Sequence, residues 1–284
     1  MHSKHYAATV MHGTAIGTGG FRKAALGLAF ALALVSMGCA TPPGYAPPDP
    51  CDLPVFLADD EPEYAAHEPE VEKPMDTGPI IALTFDDGPG WHTDRILDVL
   101  ERYGGRATFF VVGSNVEPWR NTVIRTVGMG SEVVGHTWSH PPLTRLSSQR
   151  IAEEIQTTSA IIEQVTGFAP PRFFRPPFGL VNQRVANVSA ELGYAMVNWT
   201  LDTEDWDLRN ADLVYDIIMR AARDGSIVLL HDIHETTAAA VERAIPALIA
   251  KGFRLVTVSE LLYRRYGNLE PGREYGYGIR GIGQ

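Results

Sequence analysis

The sequence predicts an α/β fold with parallel strands, closed as a barrel or left as an open sheet. Three observations point there. From Gly78 onward, short apolar runs alternate with amphipathic segments of helical length. The alternation repeats about seven times. The chemically unusual polar residues fall at the C-terminal ends of the strand-like runs, the face on which parallel α/β folds build their sites.

Taken in order, strands are expected at 80–85, 108–112, 132–135, 173–175, 195–199, 226–230 and 254–256. Each is a short run rich in β-branched or aromatic residues. Helices are expected near 93–103, 117–128, 147–167, 182–192, 211–223, 237–251 and 258–266. The segment 147–167 has the clearest signals. Ser147 can cap its start, Ile151, Ile155, Ile162 and Val165 share one face, and Gly167 ends it.

What precedes and follows this domain has a different character. Arg22-Lys23 leads into a continuous apolar run that ends at Met37. A basic flank followed by an apolar run of this length reads as an export signal, and it is short of the roughly 20 residues a membrane-spanning helix needs. Gly38-Cys39-Ala40 then resembles the cleavage site of a bacterial lipoprotein signal, although Ser36 stands where such signals usually carry Leu. Residues 1–39 are therefore expected to be a signal peptide of lipoprotein type, with a lipid anchor on Cys39. An ordinary secretory signal is the alternative, and it would leave Cys39 free to bridge to Cys51. Met11 as the start would give a more typical signal length.

Residues 40–77 are expected to be a Pro-rich and acidic linker. Residues 78–266 form the domain, and 267–284 are expected to be an irregular Gly-rich tail. The formal net charge of -10 argues against nucleic acid as a partner. The acidity is concentrated at the N-terminus, where residues 1–76 hold 4 Lys/Arg against 10 Asp/Glu. The only cysteines, Cys39 and Cys51, both precede the domain, so any metal site must use His and carboxylates.

Five clusters stand at strand ends. The first strand ends in Thr84-Phe85-Asp86-Asp87-Gly88-Pro89. Asp-Gly is also a strong turn dipeptide, so this stretch alone reads equally well as a turn. The third ends in His136-Thr137-Trp138-Ser139-His140, whose two histidines at i and i+4 would share a helical face. The others are Arg175-Pro176-Pro177-Phe178-Gly179, Asp202-Thr203-Glu204-Asp205-Trp206 and Leu229-Leu230-His231. Singly each has a bland reading as a rigid loop, a solvated helix start or a core histidine. Five such clusters in this arrangement are not accounted for by chance.

These five stretches resemble the motifs of the polysaccharide deacetylase family with the NodB homology domain, carbohydrate esterase family 4. The resemblance covers roughly residues 80–266. It implies a distorted, incomplete (β/α) barrel and removal of N-acetyl groups from an extracytoplasmic polysaccharide such as peptidoglycan, a chitin-like polymer or an exopolysaccharide. It also implies that Asp87, His136 and His140 bind one divalent metal, zinc in the first instance, with Co2+, Ni2+ or Mn2+ compatible with the same ligands. Asp86 would be the general base, held ionised by a bidentate pair with Arg175. His231 would be the general acid, oriented by Asp205. Phe178 would supply a backbone donor to the oxyanion, and Trp206 and Leu229 would form the acetyl pocket. The family often has Tyr where Phe178 stands, so a hydroxyl contact is absent here. An acetylxylan esterase or small-amide amidase would use the same site, and an inactive sugar-binding lipoprotein is the reading from another class. The protein is expected to act as a monomer.

Overall fold

The computed structural model describes residues 78–276. The expectations for the signal peptide, the lipid anchor on Cys39, the Cys39–Cys51 alternative and the linker lie outside them. Among the described residues the strands are β1 (Ile80–Asp86), β2 (Thr108–Val111), β3 (Glu132–Gly135), β4 (Phe173–Phe174), β5 (Ala195–Val197), β6 (Leu201–Asp202), β7 (Ser226–His231), β8 (Arg254–Leu255) and β9 (Glu274–Tyr275). The helices are α1 (Thr93–Tyr103), α2 (Gly113–Val116), α3 (Arg120–Gly128), α4 (Ser148–Thr166), α5 (Gln183–Leu192), α6 (Asp205–Leu208), α7 (Ala211–Ala221), α8 (Glu235–Ala250) and α9 (Val258–Tyr266).

All the strand pairs are parallel, in the order β6-β7-β1-β2-β3-β4-β5-β9, with β8 on β1. The sheet curls but β6 and β9 do not pair, so the barrel is incomplete. Alternation along β1 makes the layers. Ile81, Leu83 and Phe85 join the apolar cluster with Ile96, Leu97 and Leu100 of α1 and Val241, Ala244, Ile245 and Leu248 of α8. Ile80 and Ala82 face the inside, with Phe110, Val134, Phe173, Val197, Ile227 and Leu261. The inward column then changes character. Ile80 and Ala82 are followed on the same side by Thr84 and Asp86, buried polar residues at the C-terminal end of the strand. Apolar packing fills one end of the barrel, and polar side chains are presented at the other.

Caps account for several boundaries. Ser147 Oγ accepts from the Arg150 N–H at the start of α4, and Gly167 ends that helix in the left-handed region. Thr257 and Glu260 make a reciprocal capping box on α9.

Three expectations need correction. The helix expected over 117–128 starts later, as α3 from Arg120, with Trp119 at φ -110° as its N-cap, and the separate short helix α2 precedes it unforeseen. The strand expected to reach 199 stops at Val197, and Leu201–Asp202 adds a separate strand against β7. The segment from 267 is not wholly irregular. Glu274–Tyr275 pairs with Met196–Val197, and Tyr275 is buried. Only two residues pair, too short a run for periodicity to reveal. Residues 277–284 lie outside the described ones.

Candidate active site

Asp86 and Asp87 are adjacent, and neighbours in a strand point to opposite sides. The backbone resolves the conflict. Asp86 stays in β1, facing inward, while Asp87 has φ 70°, in the left-handed region. That turn swings the second carboxylate back to the same end of the barrel. Asn115 Nδ2 donates to the Asp87 carbonyl at 3.1 Å and fixes the turn.

The same device recurs around the site. Thr137, His140, Phe178 and Glu204 also have positive φ. Each such residue costs on the order of 1–3 kcal/mol and persists only where its surroundings impose it. The expectation that His136 and His140 share a helical face is therefore wrong. They come together across a tight turn in which Thr137 Oγ1 accepts the His140 N–H at 3.2 Å. The turn is anchored from behind by Glu154 of α4, which accepts from the Ser139 N–H at 2.9 Å and the Ser139 hydroxyl at 2.8 Å.

Asp87 Oδ1, His136 Nε2 and His140 Nε2 lie 3.2–3.6 Å apart. Ligands at about 2.0–2.2 Å from one ion in tetrahedral geometry are separated by about 3.3–3.6 Å. Asp87 Oδ1 is buried without a hydrogen-bond partner. The Arg175 carbonyl lies 2.7 Å from His136 Nδ1, so that nitrogen donates and Nε2 keeps its lone pair for the cluster. Burial holds His136 down to about 3, so the imidazole is neutral at physiological pH. Spacing, tautomer, charge state and the orphaned oxygen all fit a divalent cation.

Arg175 is fully buried, and its guanidinium lies 3.9 Å over the Phe110 ring. It does not form the expected bidentate pair. Nη1 donates to Asp86 Oδ1 at 2.6 Å and to Thr84 Oγ1 at 2.8 Å, Nη2 to the Asn198 carbonyl, and Nε to the Val197 carbonyl. The fork is shared among four acceptors because the end of β5 leaves two carbonyls within its reach, beside the two β1 side chains. Nor does Arg175 set the direction of the Asp86 shift. Burial raises the Asp86 carboxyl above its usual range, outweighing the pull of the Arg175 charge.

His231 ends β7 and pairs in register with Asp86 across β1. Side chains at paired positions of parallel strands point the same way, so these two groups are neighbours. Asp205 Oδ1 lies 2.8 Å from His231 Nδ1, and Asp205 Oδ2 accepts from the His231 N–H and the Thr237 hydroxyl. Burial works to lower His231, but the hydrogen bond and charge of Asp205 win and raise it to about 9. The same donors hold Asp205 below the usual carboxylate range despite its burial.

The remaining expected residues rim this centre. Phe178 is exposed, and its ring meets His140 edge-on at 4.7 Å. Trp206 follows Asp205 on α6 and is exposed, while Leu229 is buried two residues before His231 on β7. The structure also shows supporting residues that the sequence reading missed. Glu154 is one, and a carboxylate on the apolar face of α4 could have flagged it. Asp232 is another. Its carboxylate accepts from Thr93 Oγ1, is pushed up by burial to about 7, and packs against the site loop. A Cβ on Gly88 would lie 2.3 Å from both its oxygens, so only glycine fits there.

Comparisons with known proteins agree with this geometry. A family model for polysaccharide deacetylase matches residues 73–197. The chain is 43% identical over 209 residues to the peptidoglycan-N-acetylglucosamine deacetylase PgdA of Listeria monocytogenes, covering 73% of this chain but 43% of that protein. It thus spans about two-fifths of that relative's length. It is 36% identical to a chitooligosaccharide deacetylase of a Bradyrhizobium species, covering 64% of this chain and 90% of the relative. Among solved structures, a family 4 acetyl xylan esterase from Clostridium thermocellum, in complex with a cobalt ion, superposes with a TM-score of 0.64 at 32% identity. That match covers 72% of this chain and all of the other. With matches of this identity and coverage, the chain belongs to the polysaccharide deacetylase family.

Proposed function

We propose that this protein is a metal-dependent hydrolase that removes N-acetyl groups from an extracytoplasmic polysaccharide. The observation that carries the reading is the pairing of two titratable groups, Asp86 and His231, in register beside a three-ligand cluster. The names of the Listeria and Bradyrhizobium relatives support N-acetylglucosamine polymers as the substrate class. The signal-like run before Cys39 supports export, and lipidation there would tether the domain to a membrane through the Pro-rich linker.

Asp87, His136 and His140 would hold one divalent cation, zinc or a similar borderline ion. When bound, the cation supplies Lewis acidity that polarises the acetamide carbonyl and makes water acidic near neutral pH. Asp86 has one oxygen, Oδ1, held by Arg175, which leaves Oδ2 to take the proton of the attacking water. Its burial makes it a stronger base than an exposed carboxylate. The Phe178 N–H is assigned to the developing oxyanion. His231 has Nδ1 engaged by Asp205, so Nε2 is the atom that delivers a proton to the leaving amine as the C–N bond breaks. Trp206 and Leu229 flank the acetyl methyl, where a small apolar pocket discriminates against larger acyl groups.

His231 acts only while protonated, so activity is expected to fall as pH rises through about 9. Asp205→Asn removes the charge that holds the imidazolium, and the alkaline limb should move down toward the ordinary value of about 6.5. A pH profile of kcat for both proteins checks this, and an unmoved limb removes His231 from the acid role. The same pair has a stability consequence. Because the folded value lies above the unfolded one, its contribution is complete below about pH 6.5 and is lost as pH rises through about 9.

Acetate release from peptidoglycan, chitin oligomers and acetylxylan, assayed side by side, tests the substrate class. The proposal expects release from an N-acetylated polymer. Release from acetylxylan alone would support the esterase reading, which the similarity to the Clostridium enzyme favours.

A further inference from the structure

Trp91 is 86% exposed, the most exposed of the large apolar side chains among the described residues. It does not stand alone. Trp119, in the turn between α2 and α3, meets it edge-on, with ring centroids 5.0 Å apart and planes at 89°. Isolated exposed aromatics need no explanation, but a pair that holds one ring face open to water is a patch with a defined shape.

Both tryptophans are tied to the catalytic end of the barrel. Trp91 lies four residues after Asp87, in the loop that leaves β1. One side of that loop rests on the segment after His231. A Cβ on Gly90 would lie 3.1 Å from Ile233 Cγ2, and Thr93 Oγ1 donates to Asp232. Trp119 is reached from Asp87 in two hydrogen bonds. Asn115 Nδ2 donates to the Asp87 carbonyl, and the Trp119 N–H donates to the Asn115 carbonyl at 3.2 Å. The aromatic pair is thus continuous with the proposed reaction centre. Residues near the pair in sequence are able to hydrogen-bond, with His92, next to Trp91, half-buried and Ser114 and Glu117, shortly before Trp119, exposed.

We propose that Trp91, backed by Trp119, is a sugar-binding platform outside the reaction centre, holding a neighbouring pyranose ring of the polysaccharide. A pyranose presents axial C–H groups on one face and hydroxyls around its rim. A flat indole with polar residues near it in sequence matches both, and a T-shaped partner fixes the plane of the open ring at low entropic cost. The occupant is a sugar unit rather than a protein, because the exposed ring stands four residues from a metal-site carboxylate, beside a centre whose proposed substrate is a polysaccharide. The platform rests on the deacetylase reading, and it adds a length requirement to it.

The test uses the full chain, N-acetylglucosamine oligomers of two to five units, and the variants Trp91→Ala, Trp91→Phe and Trp119→Ala. Trp91→Ala is expected to raise KM for the pentamer about tenfold with a much smaller change in kcat, with the penalty shrinking as the oligomer shortens to the dimer. A loss of this size is in the range of one lost aromatic stack. Trp91→Phe should recover most of the affinity, and Trp119→Ala should show an intermediate loss. Thermal midpoint and metal content are recorded alongside, since a surface ring should affect neither. Equal KM at every length, or a loss independent of length, overturns the platform. Should the wild type release no acetate, titration of its tryptophan fluorescence with the pentamer still decides. A saturable shift that Trp91→Ala abolishes upholds the platform while the deacetylase reading fails, and the absence of any shift sinks both.

Discussion

Asp86→Asn is expected to lower kcat about 10²–10⁴-fold, the span usually supplied by a general base. Metal content should stay unchanged. Asn keeps the shape and one acceptor oxygen, so Arg175 retains an oxygen partner there and keeps its bonds to Thr84 and the Val197 and Asn198 carbonyls. Asp86 is not among the three clustered ligand atoms. The variant therefore separates proton transfer from metal binding. Elemental analysis beside steady-state kinetics reads both, and full activity would remove the base assignment.

His136→Ala should have the opposite signature. His136 is buried and neutral, with Nδ1 locked on the Arg175 carbonyl, so Nε2 is the best-positioned ligand atom of the three. Even a lost supporting contact to a metal ligand costs about 10–100-fold in metal affinity, and a lost ligand should cost more. Metal stoichiometry after dialysis should fall well below one per chain, with activity falling in proportion. An unchanged stoichiometry would show that the ligand set is wrong.

The two variants probe different depths of what the sequence made legible. The order of strands and helices was readable because each apolar run is short and bounded, and seven repeats leave few alternatives. The inward polar column at the end of β1 could be inferred from strand alternation alone. The way Asp87 joins the other ligands could not, because it depends on a left-handed backbone at a non-glycine residue, for which the sequence carries no strong signal. The same holds for the His136–His140 turn, where i,i+4 spacing suggested a helix that does not exist. The spread of Arg175 over four acceptors was hidden for another reason. Two of them are backbone carbonyls at the Val197–Asn198 strand end, and carbonyls leave no mark in a sequence. Glu154 and Asp232 were visible as residues but silent as partners, since Glu154 reaches out of its helix to the Ser139 turn and Asp232 meets Thr93, 139 positions away in the chain.

The most direct measurement counts new primary amines against acetate released from an N-acetylglucosamine polymer, with and without prior chelation of the protein. The deacetylase account predicts one amine per acetate, loss of both on chelation, and recovery of both on adding back a divalent ion. Acetate without amine, or release that survives complete removal of the metal, would contradict it.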